Sequence, residues 1–242
     1  MSSDDLKQIE KLMIDLLAND NNVRGEAEKK LNQTKNNSSA LVYCLAKLIY
    51  QSENNGVKTL SSVLLRKLIT IKEEEDISPV WESLDNNYKE SVKQDLINAV
   101  LKEKNKDMKI KICDTMVSVA ENVFENKESW PVFFNFIKEG LTLDTNNTDN
   151  VSNIETVLFV LSQIFGYIYD YFKDIDSFIV TFKNFFNTNI SDLKTRTSQV
   201  IGEILTVVNK KESKKFKDFI PLILEHTYKC LIDSKQEGNV RY

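Results

Sequence analysis

Glycine and proline are scarce, six and three among 242 residues. An all-β domain of this length needs many more turn residues, so the scarcity favours helices. Histidine occurs once, at His226, which leaves any general acid–base or zinc chemistry to carboxylates. There is no Gly-rich phosphate loop, no HExxH, no GxSxG and no Cys/His constellation. The chain reads as a non-enzyme without a cofactor or metal. Cys44, Cys113 and Cys230 are far apart and form no CxxC. Their odd number, with no basic n-region and apolar stretch after Met1, points to reduced thiols in the cytosol or nucleus. A net charge of -4 gives no general attraction to nucleic acid or anionic membrane.

What is present is enough apolar residue (41%) to build a core and enough charge (28%) to solvate a large surface, the balance a thin repeat stack requires. The most apolar window, Ile154 to Phe172, falls short of an uninterrupted run of about 20 apolar residues. It carries Glu155, Ser162, Gln163 and Asp170, so it reads as a helix buried between neighbours rather than a membrane span.

Apolar residues recur at three- and four-residue steps along most of the chain, which predicts helices. Leu6, Ile9, Met13, Leu16 and Leu17 mark one buried face; Val23, Ala27 and Leu31 mark a second, with Asn21 or Asn22 as its N-cap. Further helices are expected over 40–49 and 60–71, separated by the Asn54-Asn55-Gly56 break. After an acidic connection over 73–79 and Trp81, helices are expected over 87–103 and 109–124, the latter burying Ile112, Met116, Val119, Ala120 and Val123. Trp130-Pro131 opens another, since Pro suits a first helical turn. The window 154–172 follows, then 176–187, 192–208 and 215–232. No window alternates with period two, so strands are not expected.

The helices fall into pairs. Val23, Val57, Met108, Val151 and Leu193, the first apolar residues of successive second helices, are 34, 51, 43 and 42 residues apart. HEAT repeats run about 40 to 47 residues per helix pair, and tetratricopeptide repeats hold a strict 34 with a Trp/Gly/Tyr pattern that this chain lacks. Short connections make successive helices antiparallel. The expected fold is all-α: a right-handed superhelical solenoid of HEAT repeats, with approximate repeats 4–35, 37–72, 86–126, 130–172, 174–211 and 213–242 in one array.

Several stretches resemble a known family in their order and spacing. Val23-Arg24-Gly25-Glu26-Ala27-Glu28-Lys29-Lys30-Leu31 resembles the opening of the importin-beta N-terminal domain. Leu60-Ser61-Ser62-Val63-Leu64-Leu65-Arg66-Lys67-Leu68-Ile69 resembles the second helix of the following repeat. Trp81, the helix with Val92 to Leu101, Lys111-Ile112-Cys113-Asp114 and Trp130-Pro131 continue the pattern. The forms KICD, VLLRKL and Ile164-Phe165-Gly166 are most similar to the importin-5 (karyopherin beta-3) branch. The resemblance implies a nuclear transport receptor shuttling between cytoplasm and nucleus, with an N-terminal Ran-binding region at about 22–103. It implies as partners the GTP form of Ran, cargo proteins with basic import signals, and Phe-Gly nucleoporins, without direct nucleic-acid binding or membrane insertion.

In that family the second helices line the Ran-binding surface. Helical phase then nominates Gly25, Glu28, Lys29 and Asn32 on the first, Lys58, Ser62 and Arg66 away from a Leu60/Leu64/Leu68 core line on the second, and Lys111 with Asp114 on the third. The same residues admit plainer readings. Ala27 and Leu31 read as core, Trp81 and Trp130 as packing residues that fix helix starts, Arg66 and Lys67 as a solvated face or a brace, and Asp114 as the partner of a neighbouring cation. A Ran-independent HEAT or armadillo scaffold is the competing reading of the whole chain. Asn239-Val240-Arg241-Tyr242 resembles the start of another second helix, so the expectation is a fragment ending within a sixth repeat.

Overall fold

In a computed structural model, described over residues 3–34, 38–70, 80–172 and 175–239, every regular element is helical among the described residues. Thirteen α-helices are described: α1 Ser3–Leu16, α2 Asn21–Thr34, α3 Ser38–Gln51, α4 Asn55–Thr70, α5 Val80–Ser83, α6 Asn86–Lys102, α7 Lys106–Glu125, α8 Pro131–Leu141, α9 Thr148–Ile168, α10 Ile175–Phe186, α11 Ser191–Val207, α12 Lys210–Ser213 and α13 Phe219–Asn239. They form two compact units, 1–133 and 134–242.

In the first unit α1 packs on α2, α3 on α4 and α6 on α7; α3 also packs on α6 and α4 on α7. First helices therefore stack on first helices, α1 on α3 and α3 on α6, and the second helix α4 stacks on α7, while α1 also meets α4, the neighbour-on-neighbour packing of a HEAT array. Leu41, Leu45, Leu48, Val92, Leu96, Ile112, Met116 and Val123 are almost fully buried in this core. In the second unit α9 packs on α11, α10 on α11 and α11 on α13. There the core is aromatic. Phe165, Phe172, Phe178 and Phe182 form a ladder with ring centroids 5.1 to 6.1 Å apart.

The helix starts follow from side-chain chemistry. Asp20, not Asn21 or Asn22, caps α2: its carboxylate accepts from the amides of Asn22 at 2.7 Å and Val23 at 3.3 Å. A charged acceptor is favoured there by the helix dipole. Asn54 caps α4 and Asn105 caps α7 in the same way. Pro131 is the first residue of α8, where its missing N–H is not needed. At the other end of α7, Lys127 takes the left-handed conformation at φ 54°. Its amide donates to Phe124 O, and that of Glu128 to Val123 O at 2.9 Å, the double closure of a Schellman turn. The turn sets Glu128 against Lys89 at 2.7 Å and Lys93 at 3.5 Å.

Several expected positions differ. Leu17 and Val23 are 46% and 39% exposed, because α1 and α2 bury Leu12, Met13, Ala27 and Leu31 instead. The helix expected over 215–232 is divided: α12 and a 3-10 turn, Lys214–Phe216, precede α13. Residues 233–239 continue α13, so Asn239 ends this helix rather than starting another. The acidic connection 73–79 and the final residues 240–242 lie outside the described residues. Trp81 and Trp130 are buried packing residues, and the helix over 148–168 buries Ile154, Val157, Leu158, Leu161, Ile164 and Phe165. The stretch Asn150–Tyr171 is long and apolar enough to cross a bilayer by length and composition, and half of its most apolar window is buried inside the protein.

Candidate partner-binding surface

The phase of α4 decides what its residues can do. Its buried row is Val57, Ser61, Leu65 and Ile69, whereas Leu60, Leu64 and Leu68 are only half-buried. The core line lies one residue away from the expected Leu60/Leu64/Leu68 line. Lys58 and Ser62, expected on an open face, are therefore buried at 9% and 0% exposure. The physical reason is that α4 packs on two neighbours, α3 and α7. Ser62 meets α7, with Thr115 Oγ1 3.4 Å from Ser62 O, and neither the Ser61 nor the Ser62 hydroxyl has a hydrogen-bond partner.

Lys58, Thr59, Ser62 and Arg66 all meet α7 or the loop before it. Lys58 Nζ donates to Glu103 Oε2 at 2.8 Å, while Glu103 Oε1 accepts the amides of Lys104 and Asn105 at 3.0 and 2.9 Å. Burial acts to raise the Glu103 pKa, but Lys58 and the two amides outweigh it and hold the carboxyl below its ordinary value. Arg66 Nη1 lies 3.7 Å from Asp114 Oδ2, both about one-third exposed. Burial nonetheless lifts the Asp114 pKa, with Arg66 opposing. The row read as partner-facing is thus largely the seam between two repeats, and Asp114 pairs with a neighbouring cation. Beside it, Lys47 of α3 pairs with Asp95 of α6 at 3.0 Å, and Glu53 in the loop after α3 pairs with Lys102 at 3.2 Å.

The remaining nominated residues are accessible. Glu28, Lys29 and Asn32 are exposed on α2, where Gly25 has nothing within 4 Å of the place a Cβ would occupy. Lys111 is exposed on α7. Beside it the N-terminal halves of α4 and α7 enclose a groove of about 460 Å³, lined among others by Leu17, Thr59, Leu60, Val63, Asp107 and Met108. Val63, 46% exposed, and Asp107 were not among the nominated residues. The apolar step Leu60–Val63 and the acidic first turn of α7 were the available signals. Among the described residues there is no cluster of three metal-ligating side chains.

Helix pairs with first-on-first and second-on-second stacking define a HEAT-type repeat protein, a class that presents helix faces to macromolecular partners. Residues 27–102 match the family model of the importin-beta N-terminal domain. Over that stretch the chain resembles the importin-beta (karyopherin-beta) family, and its curated relative lies on the beta-3 side of that family. It is 24% identical over 228 residues to importin subunit beta-3 of Saccharomyces cerevisiae, covering 90% of this chain and 20% of that protein. The crystal structure of Kap121p superimposes with a TM-score of 0.76 at 21% identity, over 98% of this chain and 22% of that one. Kap121p bound to RanGTP gives 0.73 at 19% identity over 98% and 21%, and Kap121p bound to Nup53p gives 0.75 at 21% over 98% and 22%. At these identities the likeness establishes the fold, an all-α HEAT-repeat solenoid. The chain spans about a fifth of the length of these relatives.

Proposed function

We propose that the chain is part of a nuclear transport receptor that moves between cytoplasm and nucleus and binds Ran in its GTP form through the second helices of its first unit. The observation that carries this reading is the importin-beta N-terminal domain match over 27–102, which falls on α2 to α6, next to the accessible face of α7. Cargo proteins with basic import signals and Phe-Gly nucleoporins are the further partners, and no catalysis is part of the role. The Ran contacts are assigned to the accessible residues: Gly25, Glu28, Lys29 and Asn32 on α2, Lys111 at the α4–α7 groove, and the Arg66–Asp114 pair between the same two helices. Lys58 and Ser62 are supports of this surface rather than contacts, because their side chains are enclosed. Release of cargo by Ran requires opposing binding free energies, and the coupling is reciprocal.

The test is a pull-down of Ran loaded with a non-hydrolysable GTP analogue or with GDP. Capture of the GTP form alone is expected, weakened ~10-fold by K29E/K111E. Capture of neither form, or equal capture of both, would replace this reading with a Ran-independent scaffold.

A further inference from the structure

The segment between α11 and α13 concentrates positive charge. Lys210, Lys211, Lys214, Lys215 and Lys217 fall within eight residues. Lys215 meets Asp176 at 2.7 Å. Lys210, Lys211, Lys214 and Lys217 are exposed, and none has a carboxylate within ion-pair distance among the described residues. The two acids of the segment are engaged elsewhere. Glu212 Oε2 accepts from the Tyr169 hydroxyl at 2.6 Å and from Asn209 Nδ2 at 3.0 Å, and Asp218 lies 3.8 Å from Lys183.

The lysines are also held in place. Asn209 Oδ1 accepts the amides of Lys211 and Glu212 at 2.9 and 3.1 Å. Phe216 and Phe219 are buried at 1% and 0% exposure and anchor the turn. Lys210, Lys214 and Lys217 follow four- and three-residue steps, which puts them on one side of a helical segment. Like charges held in place with no carboxylate paired to them can receive one, and fixing them beforehand lowers the entropy lost on binding.

We infer that Lys210, Lys211, Lys214 and Lys217 form a docking patch for a short carboxylate-rich peptide segment of a partner protein. Charge complementarity favours that occupant over nucleic acid. The aromatic rings of the segment, Phe216 and Phe219, are buried and cannot stack a base, whereas single-strand binding combines charge with exposed aromatic platforms. Acidic side chains also stand next to the patch, Asp176 paired with Lys215 and Asp218 following Lys217 in the chain, so its field suits a few discrete carboxylates rather than a long polyanion. This patch is independent of the Ran reading.

The experiment is fluorescence anisotropy with labelled octaglutamate and with a labelled oligothymidylate of equal net charge. The variants are K210E/K214E/K217E, the charge-neutral K210Q/K214Q/K217Q, and a control reversing Lys7, Lys11 and Lys30 to Glu. Octaglutamate is expected to bind the wild-type chain more tightly than the oligothymidylate. Its affinity should fall ~10-fold in the reversed variant and ~3-fold in the Gln variant, with the control within ~2-fold of wild type. Equal octaglutamate binding by wild type and both triple variants would overturn the assignment, as would an equal loss in the control or tighter binding of the oligothymidylate. The Gln variant, with thermal unfolding matched to wild type, separates loss of the patch from loss of the fold.

Discussion

Lys58 Nζ and Glu103 Oε2 stand 2.8 Å apart with both side chains about 90% enclosed, joining the start of α4 to the loop that begins α7. An ion pair in that setting matters mainly through what its loss leaves behind. Lys58→Met strands a carboxylate that still accepts two backbone amides, and is expected to cost about 2 to 3 kcal/mol. The sign of the pH dependence follows from the depressed Glu103 pKa. Its contribution is fully present above the ordinary carboxylate range and is lost as pH falls through the lower folded value. Urea unfolding at pH 7 and pH 3 measures both, and the gap between wild type and Lys58→Met should narrow at pH 3. Arg66→Ala, at a 3.7 Å pair about one-third exposed, is expected to cost less than about 0.5 kcal/mol in the same assay.

Gly140 of α8 sits where a Cβ would run into the Val157 side chain of α9. Val157 is 1% exposed and β-branched, so it has little freedom to turn away. Gly140→Ala should destabilise by about 1 to 3 kcal/mol. The double variant G140A/V157A should recover a large part of that loss, and a double-mutant cycle by thermal unfolding reads the coupling.

Lys127 is the one non-glycine residue with positive φ among the described residues. The left-handed conformation costs an L-residue about 1 to 2 kcal/mol, partly offset in a Gly variant by the greater freedom of the unfolded chain. Lys127→Gly is therefore expected to stabilise by about 0.5 to 1 kcal/mol. Lys127→Val should destabilise, because β-branching makes the same conformation harder to adopt. Urea midpoints decide both.

The three thiols should separate by reactivity. Burial pushes the Cys113 thiol up to about 12, and burial with Asp5 pushes Cys44 up to about 11. Cys230 is exposed, with His226 Nε2 3.7 Å from its sulfur. Because the thiolate is the reacting form, a thiol reagent at pH 8 should label one cysteine quickly in the native protein. The other two should follow at the rate of unfolding. Labelling of a Cys230→Ser variant checks the assignment.

The sequence was most legible where a helix buries one face. The stripe Ile112, Met116, Val119, Ala120 and Val123 of α7 is buried as its spacing predicts. It was least legible in α4, where apolar residues occur on several sides: Val57, Leu65 and Ile69 in the core, Leu60, Leu64 and Leu68 half-buried, Val63 exposed. Periodicity cannot choose among three apolar rows. The choice is made by α7, which covers the side carrying Ser62, where a small side chain permits close approach. Lys58 followed Ser62 into the seam, where Glu103 compensates its charge.

The scarcity of glycine and proline, together with three- and four-residue apolar steps, settled on its own that this chain is a series of paired helices. The N-terminal strings from Val23 to Leu31 and Leu60 to Ile69 also carry its resemblance to the importin-beta family. Only the tertiary structure decided which polar residues remain available to a partner. A helix in a repeat array contacts neighbours on two sides, and the depth of its second contact depends on side-chain volumes contributed from tens of residues away. That is why Lys58 is enclosed while Lys111 remains open, although both are lysines near the start of second helices.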